Sequence, residues 1–497
     1  MKVLFRENGM FRSKVLMTAP VMAFLMSGTA HAALTVDQVW ADLQAAAVAG
    51  GMTITAATEV PGDGELTLNG VSIAPAGEAA IATISDVSIV EQDDGSVAFF
   101  PGEIKVQNSG PGTVVITHEA LSISAFEDAG GLGYGIDADS LKAVVNVVEG
   151  DSSFDGTFDM VALAGRYTRG LEALGVEMSV DRLLYAINQK DPALGIDGAQ
   201  TSDTEDLALS GEITLPEGLD LLSLQDSAGF IAAVRGGLGL DFEATQGVSK
   251  GDIADSNPMM PMSLAFSSEP GTTTVVANKD VFDVATSVEG MALTLRPPMT
   301  PAPVNATTDA FVFGFGMPLV TGETAGDYGF ELKLENLVFD EAAWGMIDPD
   351  AVLERGPLDV ALDLGGTAKI DVLDLMASAE TGTAPTTTPE VQSLDIRTLA
   401  IKALGATATG SGAFTFDNSM VAMGGPPLPV GTADVRLEGG NKVIDALIKL
   451  GVMTEEDAMG ARMMMAMFGQ SAGDDVLTSK IEAREGGSIF VNGQQIQ

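Results

Sequence analysis

Gly469-Gln470-Ser471-Ala472-Gly473 is a G-x-S-x-G pentapeptide, the pattern of a serine nucleophile elbow. An elbow needs a strand before it, a helix after it and a histidine later in the chain to take the serine proton. Here helical spacing precedes the motif and no histidine follows, so it reads as a helix stop and a turn. His118 is the only histidine beyond residue 32 and sits in the strand-like Ile116-Thr117-His118-Glu119, where it reads as a strand-surface residue and not a base. Asp340, Glu341, Asp348 and Asp350 gather beside Trp344 and could supply an acid pair of the glycosidase kind. Caps and turns are the plainer use of these four acids.

The absences are as informative. There is no cysteine, which removes disulfides, thiolate metal sites, iron–sulfur clusters and cysteine nucleophiles together. A single histidine removes metal sites built on two. Gly131-Leu132-Gly133-Tyr134-Gly135 and Gly236-Gly237-Leu238-Gly239 are glycine-rich but lack the spacing that cradles a phosphate, and no calcium loop of the EF-hand type occurs. No catalytic, cofactor-binding or metal-binding residue is therefore assigned, and no cofactor is expected. Methionine remains: Met459, Met463 and Met467 recur four apart, with Met464, Met465 and Phe468 beside them. Their flexible thioethers suit core packing first, then an adaptable contact for a partner or a lipid chain, and least copper(I). Met459, Met463, Met467 and Phe468 are the candidates for an apolar partner or lipid contact.

The elements that must position such residues are mostly strands. Phe311, Phe313 and Phe315 alternate with Val312 and Gly314, and Phe330-Glu331-Leu332-Lys333-Leu334-Glu335 alternates as cleanly. After Asn336 the apolar positions shift from even to odd numbers, which predicts a bulge there. Asp348-Pro349-Asp350 predicts an N-cap and first-turn proline of a short helix, with Trp344 covering the end of the sheet. Leu358 to Leu364 returns as a strand, Gly365-Gly366 reads as a turn, and Thr367 to Leu373 as its continuation. Earlier, Thr35 and Gln38 form a capping box for a helix ending near Gly50-Gly51, and a meander of short strands follows. A helix is expected from about Asp181, and the polar stretch Asp191 to Glu205 reads as the boundary between two lobes. Towards the end, Asn441 and Thr454 are expected to cap two helices, and a hairpin turns at Asn492-Gly493. The sum is an α+β, β-dominant fold: a long antiparallel meander in two lobes, residues 33–200 and 201–497, with a short N-terminal helix and two helices near the C-terminus.

Residues 1–32 are read as a cleaved secretory signal peptide. Lys2, Arg6, Arg12 and Lys14 precede an apolar run from Val15 to Thr29, and Ala30-His31-Ala32 offers the small-residue cleavage site. Its four bases and one acid (Glu7) leave with it, taking the net charge from −44 to about −47. Such a charge repels nucleic acid and anionic lipid heads and keeps a protein wetted in salty surroundings. No later apolar run reaches the roughly 20 residues of a membrane span. Scarce aromatic residues and the helices expected at the front and near the end argue against an outer-membrane barrel.

The segment Ala33-Leu34-Thr35-Val36-Asp37-Gln38-Val39-Trp40, the Trp344 to Ile370 stretch with Asp348-Pro349 and Leu362-Asp363-Leu364-Gly365-Gly366-Thr367, and the closing Val491-Asn492-Gly493-Gln494 resemble an exported alphaproteobacterial family known as domain of unknown function 2125. The resemblance covers nearly the whole chain after the leader. It implies export and a common fold and carries no catalytic residue. The meander also looks distantly like envelope proteins that handle lipids on an elongated sheet, a fold-level analogy. A periplasmic, non-enzymatic binding or scaffold module is expected, its partner a lipid or an envelope protein. A carboxylate-dependent hydrolase and a calcium-dependent adhesion protein are the competing readings.

Overall fold

The computed structural model describes residues 34–496, apart from 50, 108–111, 130, 171, 194, 218, 220–223, 225–226, 257–261, 298–301 and 422–423. The expected leader and its cleavage site lie outside the described residues. Among the described residues the chain is dominated by antiparallel strands, and no helix is long and apolar enough to cross a membrane. Among the described residues six helices punctuate the strands: α1 (Val36–Ala49), α2 (Ser227–Arg235), α3 (Glu341–Ile347), α4 (Val372–Thr381), α5 (Gly440–Lys449) and α6 (Glu455–Phe468). The chain divides into two compact units, one running to Leu215 and including Gly251–Pro261, the other comprising Pro216–Lys250 and Met262–Gln497.

The first unit begins as its sequence dictates. Thr35 Oγ1 accepts from the Gln38 backbone N–H, and Gln38 Oε1 accepts from the Thr35 N–H, the two halves of a capping box. The helix α1 that follows buries Val36, Val39 and Trp40 against Leu66, Leu68, Ile89, Val97 and Phe99 of the first strands. Beyond it lie four strands of 18–19 residues, Gly131–Glu149, Ser152–Arg169, Ala173–Asp191 and Ile196–Thr214. The helix expected from about Asp181 is therefore a strand. Both neighbours hydrogen-bond it along its whole length, and that pairing overrides a sequence whose apolar residues fit either period. Asp191 to Glu205, expected as the boundary between two lobes, holds instead a tight hairpin connection and the first half of Ile196–Thr214, and the units divide after Leu215.

These long strands share a crease. Asp139 lies opposite Ala162, Ala162 opposite Asp181, and Asp181 opposite Asp206, and at that one level the ladder skips a rung in each pair. Ala162 and Asp206 have φ of 52° and 48° there, as has Ala120 (53°) in the connection beside Asp139. The pucker tucks the flanking residue on one side of the crease inward, so Leu121, Ala138, Leu163 and Val180 form a small buried row with Leu207 against it.

In the second unit, Ala310–Pro318 and Gly326–Phe339 pair as the alternation predicts. The register slips between Leu334 and Leu337, and Asn336 takes φ 57°, so the bulge sits where the pattern changed parity. Asn336 is held by both sides: its N–H donates to Asp359 Oδ1 (2.8 Å) and its Nδ2 to Asp309 Oδ2 (2.7 Å).

Three expectations in this unit are corrected. The helix near Trp344 precedes Asp348 instead of following it. Asp340 is its N-cap, accepting from the Ala343 N–H, and Asp348 closes its C-terminal end while gathering the N–H groups of Val352 and Leu353, both at 2.8 Å. Gly365-Gly366 does not turn the chain. Both lie inside the continuous strand Leu358–Lys369, where Tyr328 from the paired strand lies over Gly366 and donates to the Ser393 carbonyl. A Cβ on Gly366 would overlap that carbonyl oxygen and the tyrosine hydroxyl, so glycine serves close approach here. After that strand the chain enters α4, capped by Asp371, instead of extending to Leu373.

Candidate functional site

Pairing residues across the second unit's strands shows what the alternation builds. One row runs Phe242, Val275, Val284, Phe315, Phe330, Leu364 and Ile396, each directly opposite the next. A second runs Phe313, Leu332, Leu362 and Leu399, and a third Val288, Phe311, Leu334, Val360, Ile401, Ala408, Leu437 and Leu477. Directly paired residues share a face, so these rows form one apolar surface. The reverse face carries Asp241, Asp283, Glu331, Lys333, Asp363 and Asp395. Seven strands about 4.8 Å apart make the first row roughly 29 Å long.

Among the described residues no second layer buries that surface fully. None of the row residues is fully buried, and Phe315 and Ile401 keep 36% and 41% of their area exposed. The unit's buried apolar side chains lie elsewhere. Trp344, Leu353 and Ala446 cluster with Phe339, Leu404 and Leu450 where α3 and α5 meet the strand ends, and Phe339 meets the Trp344 ring edge-on. At the strands' other ends α2 and α4 are clamped by Arg235, whose guanidinium donates to both Asp371 oxygens at 2.8 Å. Helices thus stop the ends of the apolar face and leave its middle open.

The carboxylates beside Trp344 do structural work. The Asp340 carboxyl is held below its usual range by the Ala343 N–H it caps and by Asn305. Burial works to raise that of Asp348, which has no exposed surface, yet the Val352 and Leu353 N–H groups and the Arg355 charge outweigh it and the net shift is down. Glu341 pairs with Arg355. An acid that must stay ionised to hold its cap is the reverse of the raised, proton-donating carboxyl a glycosidase needs. Ser471 lies on a short exposed strand, Gln470–Gly473, with its hydroxyl on the Gly473 carbonyl, and His118 belongs to the other unit, its Nε2 3.1 Å from the Gly102 carbonyl oxygen.

The methionine row is placed differently from its first expectation. Helix α6 is capped by Thr454 as predicted and turns inward with Ala458, Met465 and Arg462. Met465 sulfur lies beside Gly440, and Arg462 binds Asn441 and Asp445. Met459, Met463 and Met467 lie on the opposite side, 62%, 67% and 59% exposed, with Met464 and Phe468 alongside at 57% and 36%. They are not core. A helix carrying methionine at five positions could not bury them all, and the sequence did not say which turn would face inward. The cap of α5 was also misplaced: its N-terminus has Gly439 (φ 74°) and no side-chain cap of its own. Asp475 supplies one from 34 residues away, accepting from the N–H groups of Asn441 and Lys442 at 3.0 and 3.1 Å and from Asn441 Nδ2 at 2.8 Å.

No family model, curated protein or solved structure matches this chain.

Proposed function

We propose that this is an exported, periplasmic envelope protein that is not an enzyme, and that it carries lipid acyl chains on the open apolar face of its second unit. One observation carries the reading: three in-register apolar rows on one sheet face, half-buried or exposed and none of them fully buried among the described residues. Monomeric proteins seldom leave a contiguous apolar surface of this extent bare unless something binds there. The rows favour hydrocarbon over peptide. An extended peptide on this face would find almost no hydrogen-bond partner for its own N–H and C=O groups, each of which is costly to strand, and an acyl chain has none to strand. Export rests on the basic, apolar N-terminal 32 residues, and kinship with the family named above rests on the quoted segments alone.

Native mass spectrometry of the protein gently extracted from its own envelope should show lipid-mass adducts. Phe313→Asp and Leu332→Asp place a charge mid-face and should remove them. Adduct-free spectra from the wild type, or adducts undiminished in both variants, would overturn the proposal.

A further inference from the structure

We infer that the outward face of helix α6 is a docking surface for a basic amphipathic helix of another polypeptide. Taking 100° per residue, Met459, Met463, Met467 and Met464 form a stripe over an arc of about 140° centred opposite the inward Ala458 and Met465, with Met459 and Met464 at its flanks. Gly460 falls inside that stripe, and a Cβ there would meet nothing within 4 Å. The surface is therefore a ridge of mobile thioethers around a notch, a shape that accepts an incoming apolar side chain and adapts to its outline.

Charge selects the occupant. The stripe ends at its N-terminal turn in Glu456, flanked by Glu455 and Asp457. The only cation of the helix, Arg462, is turned away to Asn441 and Asp445. Among the described residues no ion pair engages Glu455 or Glu456. The outward face thus reads as apolar along its length and anionic at one end, on a chain of net charge −44. A second copy would bring a like net charge of −44 against this one, and an anionic bilayer or nucleic acid would be repelled likewise. An amphipathic helix that sets leucine-like residues on the methionines and lysine or arginine over Glu455 and Glu456 satisfies both halves.

The test uses the full mature chain and a 14-residue amphipathic Leu/Lys peptide as probe, with its Leu/Glu counterpart as control, read by fluorescence anisotropy. Saturable one-to-one binding of the Leu/Lys peptide is expected. It should weaken at least tenfold in Met463→Gln/Met467→Gln and weaken, with a flatter salt dependence, in Glu455→Gln/Glu456→Gln. Both pairs are surface substitutions that should leave the circular dichroism spectrum unchanged. Binding indifferent to Met463→Gln/Met467→Gln would mean that bulk charge alone attracts the peptide, and would overturn the inference. So would absent binding, methionine-dependent capture of zwitterionic vesicles, or a methionine-dependent dimer.

Discussion

Removing the Asp475 carboxylate should unfasten α5 and with it the mount of α6. The side chain accepts three hydrogen bonds, two of them from backbone N–H groups that the helix start cannot otherwise satisfy. Loss of a cap is worth about 1 kcal/mol and a hydrogen bond to a charged group about 1.5–3 kcal/mol, so Asp475→Ala should lose about 2 kcal/mol in total at this partly buried site. That is a fall of about 4–8 °C in melting temperature for a unit of this size class. Burial works to raise the Asp475 carboxyl, but the Asn441 and Lys442 N–H groups prevail and its shift is downward. A carboxyl lowered in the folded state contributes fully above its unfolded value, near pH 3.9, and loses that contribution as pH falls towards the folded one. The gap between wild type and Asp475→Asn should therefore be widest at neutral pH and narrow towards pH 3. Urea unfolding in a Trp40→Phe background leaves Trp344, packed with Ala446 of α5, as the reporter. Asp474→Asn, the exposed neighbour, is the control and should stay within about 0.5 kcal/mol. A drop in Asp475→Ala no larger than the control's, or a gap constant across pH, would refute the cross-chain cap.

Two further substitutions test the packing. Gly366→Ala should destabilise by about 1–3 kcal/mol, because its Cβ meets a backbone carbonyl that cannot move aside; Gly460→Ala, with open space around it, should be neutral or stabilising by up to about 1 kcal/mol. Equal melting temperatures for the two would contradict the placement of Gly366 under Tyr328. Trp344→Ala should lose about 3–5 kcal/mol by emptying the cluster with Leu353, Ala446 and Phe339, and denaturant unfolding checks it.

What could be read from the residues was whatever is decided locally. The Thr35/Gln38 box, the bulge at Asn336 and the closing turn need only neighbours in sequence; in that turn Asn492 and Gly493 take φ 51° and 83°, as a tight hairpin requires. What failed was decided at a distance. Nothing near Asp181 announces that strands on both sides will claim it, nothing near Gly366 announces Tyr328, and nothing near Asn441 announces Asp475. The apolar face was legible as alternation, but its openness depended on what was not placed over it. The methionines were singled out by type and spacing; which of them face outward was fixed by Arg462 and its partners.

The aligned kinks at Ala162, Asp181 and Asp206 bear on how this unit can change over generations. A single-residue insertion on one side of the kink in any of these strands would carry that strand's irregular rung out of step with its neighbours'. It would also swap the strand's inner and outer side chains up to the hairpin. Length polymorphism should therefore concentrate in the connecting turns, while the strand segments flanking the kink keep a fixed residue count across relatives, as a zip fastener tolerates change at its ends but not a missing tooth.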